Sequence, residues 1–166
     1  MLQAIRIYFL KRKISAPDSH FTPEIKGSKV GVLFNNDVED KQALLEQIQQ
    51  HFKISNSEIN ALGFSHKSFK NKEQPQDVFT LRDFSIFGEP KSESVQNFLK
   101  TDYQLLFNFF GSGELGLGVI AKSANAKLKV GLSTADERLN DLLLDMDSKN
   151  MDFFKASSTY IQHIIK

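Results

Sequence analysis

Lys29–Phe34 reads KVGVLF, Asp40–Phe52 reads DKQALLEQIQQHF and Glu58–Phe64 reads EINALGF. The first is a short apolar run without alternation, which suits a strand covered on both faces in a parallel sheet. In the second, Ala43, Leu44, Leu45, Ile48 and Phe52 recur at intervals of three and four, the apolar stripe of a helix. Between them Asn35-Asn36-Asp37 supplies turn chemistry and a helix cap. The third stretch is a second strand. Strand, helix and strand within about 35 residues make a βαβ unit, whose strands pair in parallel through a right-handed crossover.

Outward from this unit the alternation continues. Ser65–Asp77, with Lys67, Lys70, Lys72 and Pro75, reads as a loop, and Val78–Phe84 as a strand. Gly88-Glu89-Pro90 is a turn and Ser94–Leu99 a short helix. Tyr103–Phe110 (YQLLFNFF) is the strongest strand signal in the chain. A helix over Glu114–Ser123, strands at Leu128–Leu132 and Asp141–Met146, and a final helix over Asn150–Ile165 complete the pattern. Phe153, Phe154, Ile161, Ile164 and Ile165 form the apolar face of that last helix. The expected architecture is α/β: a Rossmann-like three-layer α/β/α domain with a mostly parallel sheet over residues 29–166. Residues 1–28 are expected to form a short basic amphipathic helix and a linker. Leu2, Ile5, Phe9 and Ile14 lie at helical spacing there, and the helix should stop before Pro17.

Composition narrows the classes. The chain has 166 residues, 40% hydrophobic and 25% charged, an ordinary globular balance for one core. Its fifteen Phe and no Trp place large rings without polar tips in that core. With no Cys, disulfides, thiolate metal ligation and a Cys nucleophile are excluded. No apolar run approaches the roughly 20 residues of a spanning helix, and the N-terminal cations follow the apolar stretch instead of preceding it as in a signal peptide. A cytoplasmic location, with peripheral membrane attachment as an option, is the expectation.

Net charge is +1 but unevenly placed. Residues 1–17 carry Arg6, Lys11, Arg12 and Lys13 and no acid. Residues 131–152 carry six carboxylates (Asp136, Glu137, Asp141, Asp145, Asp147, Asp152) against Arg138 and Lys149. The basic arm could dock on an anionic membrane surface, or on RNA or a protein partner. The plainer alternative is a helix packed on its own domain with a basic outer face. No DNA-recognition motif occurs.

The sharpest local motif is Gly111-Ser112-Gly113-Glu114-Leu115-Gly116, a G-x-G-x-x-G that follows a strand and opens a helix, with Asp136 20 residues beyond. In a dinucleotide site such glycines let pyrophosphate approach the backbone at a helix N-terminus, and the acid takes the ribose hydroxyls. Gly111, Gly113, Gly116 and Asp136 are therefore ligand-site candidates. Two features oppose that reading. The motif falls late in the chain, and Glu114 puts a carboxylate where phosphate would sit, though it suits the helix dipole. A glycine-rich strand-to-helix turn is the structural alternative.

Other chemistry is thinner. Asp145–Asn150 opens like a calcium loop, but Lys149 and Asn150 stand at its fifth and sixth positions and Ala156 at its twelfth, so it fails as an EF-hand. His20, His51, His66 and His163 show no metal-ligand spacing. His66, just past a strand end, is the one acid/base candidate, against a plain exposed loop histidine. No catalytic set, cofactor or metal site is identified. A non-catalytic binding or adaptor protein docking through the basic arm is the leading expectation. A phosphate-ligand binder or enzyme using residues 111–116 is the alternative.

Two resemblances carry weight for fold only. KLKVGLSTADERLN at Lys127–Asn140, preceded by DYQLLFNFF and by the opening MLQAIRIYFLKRK, resembles a family of uncharacterised bacterial proteins known as a domain of unknown function. That likeness spans nearly the whole chain and brings no activity, cofactor or site. KVGVLFN as an opening strand, with the later KVGLS strand and a final apolar helix, resembles the N-terminal half of heptosyltransferase-like (GT-B) glycosyltransferases. It implies a shared scaffold, because such enzymes need a second half to hold a nucleotide sugar.

Overall fold

A computed structural model describes residues 1–17, 28–70, 73–144 and 161. Among them six strands form one sheet: β1 (Val30–Asn35), β2 (Ile59–Phe64), β3 (Val78–Phe79), β4 (Asp102–Phe109), β5 (Asn125–Leu132) and β6 (Leu142–Leu144). Their order is β3-β2-β1-β4-β5-β6, and every pairing between them is parallel. The register sets Val30 of β1 against Ile59 on one side and Leu105 on the other. The described helices are α1 (Leu2–Ser15), α2 (Lys41–Phe52), α3 (Glu93–Lys100) and α4 (Leu115–Ser123). The expected α/β fold with a parallel sheet is therefore present, and the order is that of a doubly wound sheet.

KVGVLF lacks alternation because both of its faces are covered. Val30, Val32 and Phe34 join Leu44 and Ile48 of α2, Phe107 and Phe109 of β4, and Ile161 in one core cluster. Leu33 faces the other cluster, with Leu62 and Phe64 of β2, Phe98 of α3, Leu117 of α4, and Leu10 and Ile14 of α1. Helix layers on the two faces of the sheet thus hold separate cores.

The structure corrects several expectations. Asp40, rather than Asn35–Asp37, caps α2, its carboxylate accepting from Ala43 N–H at 3.3 Å. The expected strand over Val78–Phe84 ends at Phe79, because Thr80 and Asp83 cap a 3-10 turn over Leu81–Asp83, Asp83 accepting from Thr80 N–H at 2.7 Å. In α1 the buried residues are Leu10 and Ile14, while Leu2 and Ile5 face outward. Ile14 belongs to the expected stripe, but Ile7 and Leu10 also recur at helical spacing with it, and that second side is the one that packs. The seam is tight, since a methyl added at Gly118 of α4 would lie 2.9 Å from Ile14 Cδ1. Lys122 Nζ also donates to Ile14 O at 2.7 Å. The 18–27 part of the expected linker, the calcium-like stretch from Asp145 and the expected C-terminal helix lie outside the described residues, apart from Ile161, which is buried.

Candidate functional site at the carboxyl edge of the sheet

In a sheet of this order the chain turns to opposite sides on leaving β1 and β4, which opens a crevice beyond their carboxyl ends where ligands bind. The crevice is occupied by polar side chains. Asn35, the last residue of β1, donates from Nδ2 to Glu114 Oε1 at 3.1 Å. The other oxygen of Glu114 lies 2.8 Å from His66 Nε2, just past the end of β2. Glu114 is also the residue that opens α4, so its negative charge sits at the positive end of the helix. One carboxylate thus ties together the ends of β1 and β2 and the start of α4.

Behind this bridge, Asp37 accepts from Ser65 Oγ at 2.6 Å and from His66 N–H at 2.8 Å. Partial burial acts to raise the Asp37 carboxyl. The Ser65 and His66 hydrogen bonds, with the charges of Lys67 and His66, outweigh it and hold the group below the usual carboxylate range. His66 also meets the Phe64 ring edge-on at 4.9 Å. The imidazole is therefore oriented through Nε2 by a carboxylate and steadied by an aromatic edge, an arrangement that can hold or relay a proton. A buried amide stands deeper in β4: Asn108 donates from Nδ2 to Asn140 Oδ1 at 2.8 Å, and its own Oδ1 has no partner among the described residues.

The glycine turn has divided roles. Gly113 has φ +94°, a left-handed conformation that glycine accommodates, and a methyl there would meet nothing within 4 Å. Ser112 N–H donates to Thr134 O at 2.9 Å, which joins the turn to the loop after β5. Gly111, Gly113 and Asp136 line a cavity of about 300 Å³ together with Lys11, Glu114 and Arg138. Gly116 is absent from that lining; it faces Phe64, where a methyl would lie 2.7 Å from Cε2. Asp136 is engaged by the Arg138 guanidinium, with contacts from 2.6 to 3.2 Å. Those hydrogen bonds, the largest influence on it, keep its carboxyl low.

The four cations of α1 separate. Arg6 is half-buried and turned toward the ends of β2 and β3, Lys11 overhangs the glycine turn, Arg12 is exposed, and Lys13 pairs with Glu89. Sequence patterns could not join Asn35, Ser65, His66 and Glu114, because these residues meet only where three loops converge. Being polar and next to a strand end is the one local signal they share. Among the described residues no group of three or more His, Asp or Glu is placed to hold a metal, and no helix is long and apolar enough to cross a membrane.

The sheet order and the crevice define a Rossmann-like α/β protein. A family model matches residues 4–164, and the chain belongs to that family, DUF6913, a family of unknown function. The match brings no activity and does not extend to glycosyltransferases. No curated protein and no solved structure matches the chain.

Proposed function

We propose that the protein is a non-catalytic binding or adaptor module that docks on an anionic membrane surface through the outward side of α1. One observation carries this reading. Six large apolar side chains are exposed among the described residues, and five of them, Met1, Leu2, Ile5, Tyr8 and Phe87, belong to α1 and the loop beside it. Phe87 is joined to the helix by its edge-on contact with Phe9 at 5.3 Å. Such clustering marks an interaction surface, whereas scattered exposed apolar residues do not. Lys11 and Arg12 stand exposed about one turn further on, and residues 1–17 contain no acid. An apolar stripe beside cations suits the boundary between acidic headgroups and acyl chains; RNA phosphates would call for cations alone. Each cation near such a surface contributes about 1 kcal/mol, so attachment should be reversible and salt-sensitive.

The test is sedimentation with phosphatidylglycerol vesicles and with neutral phosphatidylcholine vesicles. Binding to the first that weakens with salt, and that the pair Ile5→Asp and Tyr8→Asp abolishes, supports the reading. Equal recovery in the supernatant with and without vesicles sinks it, and capture of RNA in place of vesicles reassigns the surface. Deleting the helix would be a poor test, because Leu10 and Ile14 belong to the core.

A second reading, a binder or enzyme for a phosphate-bearing ligand at the glycine turn, is favoured by the cavity that unites Gly111, Gly113, Asp136 and Lys11. Melting shifts with nucleotides, nucleotide sugars and nicotinamide cofactors, lost in Gly113→Val, would support it. No shift across the panel would remove it.

A further inference from the structure

A second cavity, of about 230 Å³, lies at the carboxyl ends of β2 and β3. His66 lines it, while its partner Glu114 lines the glycine-turn cavity, so the imidazole–carboxylate pair stands between the two. Three segments remote in sequence each bring a cation to its wall: Arg6 from α1, Lys67 from the loop after β2, and Arg82 from the turn after β3. Ser68 and Thr80 add hydroxyls, and no carboxylate is among the lining residues.

Gathering three cations in one small concavity is unfavourable unless something negative compensates them. Asp37 offsets part of the Lys67 charge from behind the loop, where it also accepts from Ser65 and from His66 N–H, but it does not line the cavity. Asp83, whose carboxylate accepts from Thr80 N–H and Gln74 Nε2, also lies outside the lining. Arg6 gives an independent sign: its Nε is buried and finds no acceptor among the described residues. A guanidinium N–H left so is costly, and a small shift of Arg6 toward an oxyanion in the cavity would give it the acceptor it matches best. The volume falls below the range of about 300–1,000 Å³ of sites for drug-sized ligands, so a nucleotide would not be enclosed but a single phosphate group would.

We infer that this cavity is a binding site for a phosphate monoester, held by Arg6 and Arg82 as hydrogen-bonding forks and by Lys67 as a point charge. The site is separate from the outward side of α1 and does not rest on the docking proposal. Its ligand is the phosphate of a soluble molecule or of a phosphorylated lipid headgroup, and the chemistry of recognition is the same for both.

The experiment is titration calorimetry of the full chain with inorganic phosphate, alongside sedimentation with phosphatidic acid and with phosphatidylglycerol vesicles. Arg82→Gln and Lys67→Gln, both at exposed positions, are the principal variants, and Arg6→Gln is read only if its melting curve stays cooperative. Phosphate binding that either exposed variant weakens about tenfold or more, with Ile5→Asp unchanged, is the expected result. A preference for phosphatidic acid over phosphatidylglycerol that Arg82→Gln removes would assign the phosphate to a lipid headgroup. Absence of both, or phosphate binding indifferent to Arg82→Gln and Lys67→Gln, would overturn the inference whether or not the protein docks on membranes.

Discussion

Gly116 of α4 lies against the ring of Phe64 in β2 so closely that a methyl on it would stand 2.7 Å from Cε2 and 3.0 Å from Cδ2. This contact sets how deeply the start of α4 sits on the sheet, and with it the reach of Glu114 to His66. Phe64 is enclosed, with Phe79 edge-on at 5.1 Å, and has little room to yield. Gly116→Ala should therefore destabilise the protein by about 1–3 kcal/mol, although alanine is the better helix former by about 1 kcal/mol. Gly113→Ala meets open space but a left-handed backbone, and should cost about 1–3 kcal/mol from strain alone. Urea denaturation of the two variants checks both values. A stabilised Gly116→Ala would mean that the helix does not rest on Phe64.

The same pair shows what the sequence could reveal. KVGVLF and the helix after it fixed the parallel α/β class, because burial on two faces leaves a local mark in composition. The glycines at 111, 113 and 116 were visible too, but the motif could not say which one bends the chain and which is pressed against a ring. That difference depends on Phe64, some fifty residues earlier. Likewise α1 carries two apolar stripes that share Ile14, and spacing alone points to Leu2, Ile5 and Phe9 rather than Leu10. Which stripe packs is decided by the core, which takes in Leu10 together with the shared Ile14.

The inner stripe of α1 holds the core together, so substitutions on the two sides should behave differently. Leu10 is fully buried and Tyr8 exposed. Leu10→Ala should cost about 2–5 kcal/mol, as core truncations do, while Tyr8→Ser should stay within about 0.5 kcal/mol. Chemical denaturation midpoints at constant slope give the comparison. Equal effects from the two would show that α1 is not seated on α4 in solution.

Tyr103 offers a test at the opposite end of β4. Its hydroxyl donates to Phe98 O at 2.9 Å and accepts from Asn60 Nδ2 at 3.3 Å. Burial, only partly countered by hydrogen bonds, pushes it up to about 12 from an ordinary 10.0. The folded value is raised, so this contribution to stability is complete below the ordinary value and is lost as pH rises through the folded one. Tyr103→Phe should be less stable near neutrality by about 1 kcal/mol for the lost hydrogen bonds. Its deficit should shrink between 10.0 and about 12 as the wild type loses ground. A deficit constant across that interval would place the hydroxyl in contact with water.

Asp37 provides the acid-side counterpart and reports directly on the crevice. Burial works to raise its carboxyl, but hydrogen bonds from Ser65 and His66 and the charges of Lys67 and His66 prevail, and the folded value lies below the ordinary 3.8. A depressed value means that the ionised form stabilises the fold: the contribution is present above 3.8 and is lost as pH falls through the folded value. Asp37→Asn removes the charge yet keeps an oxygen to accept one hydrogen bond. The wild type should exceed this variant in stability at neutral pH, and the gap should close as pH falls below 3.8 and through the folded value. Ser65→Ala should narrow the same gap by removing one of the donors. Urea midpoints measured at matched ionic strength follow the difference. A gap that persists at the acid end would mean that the loop after β2 is held by packing, with the charge of Asp37 contributing nothing to it.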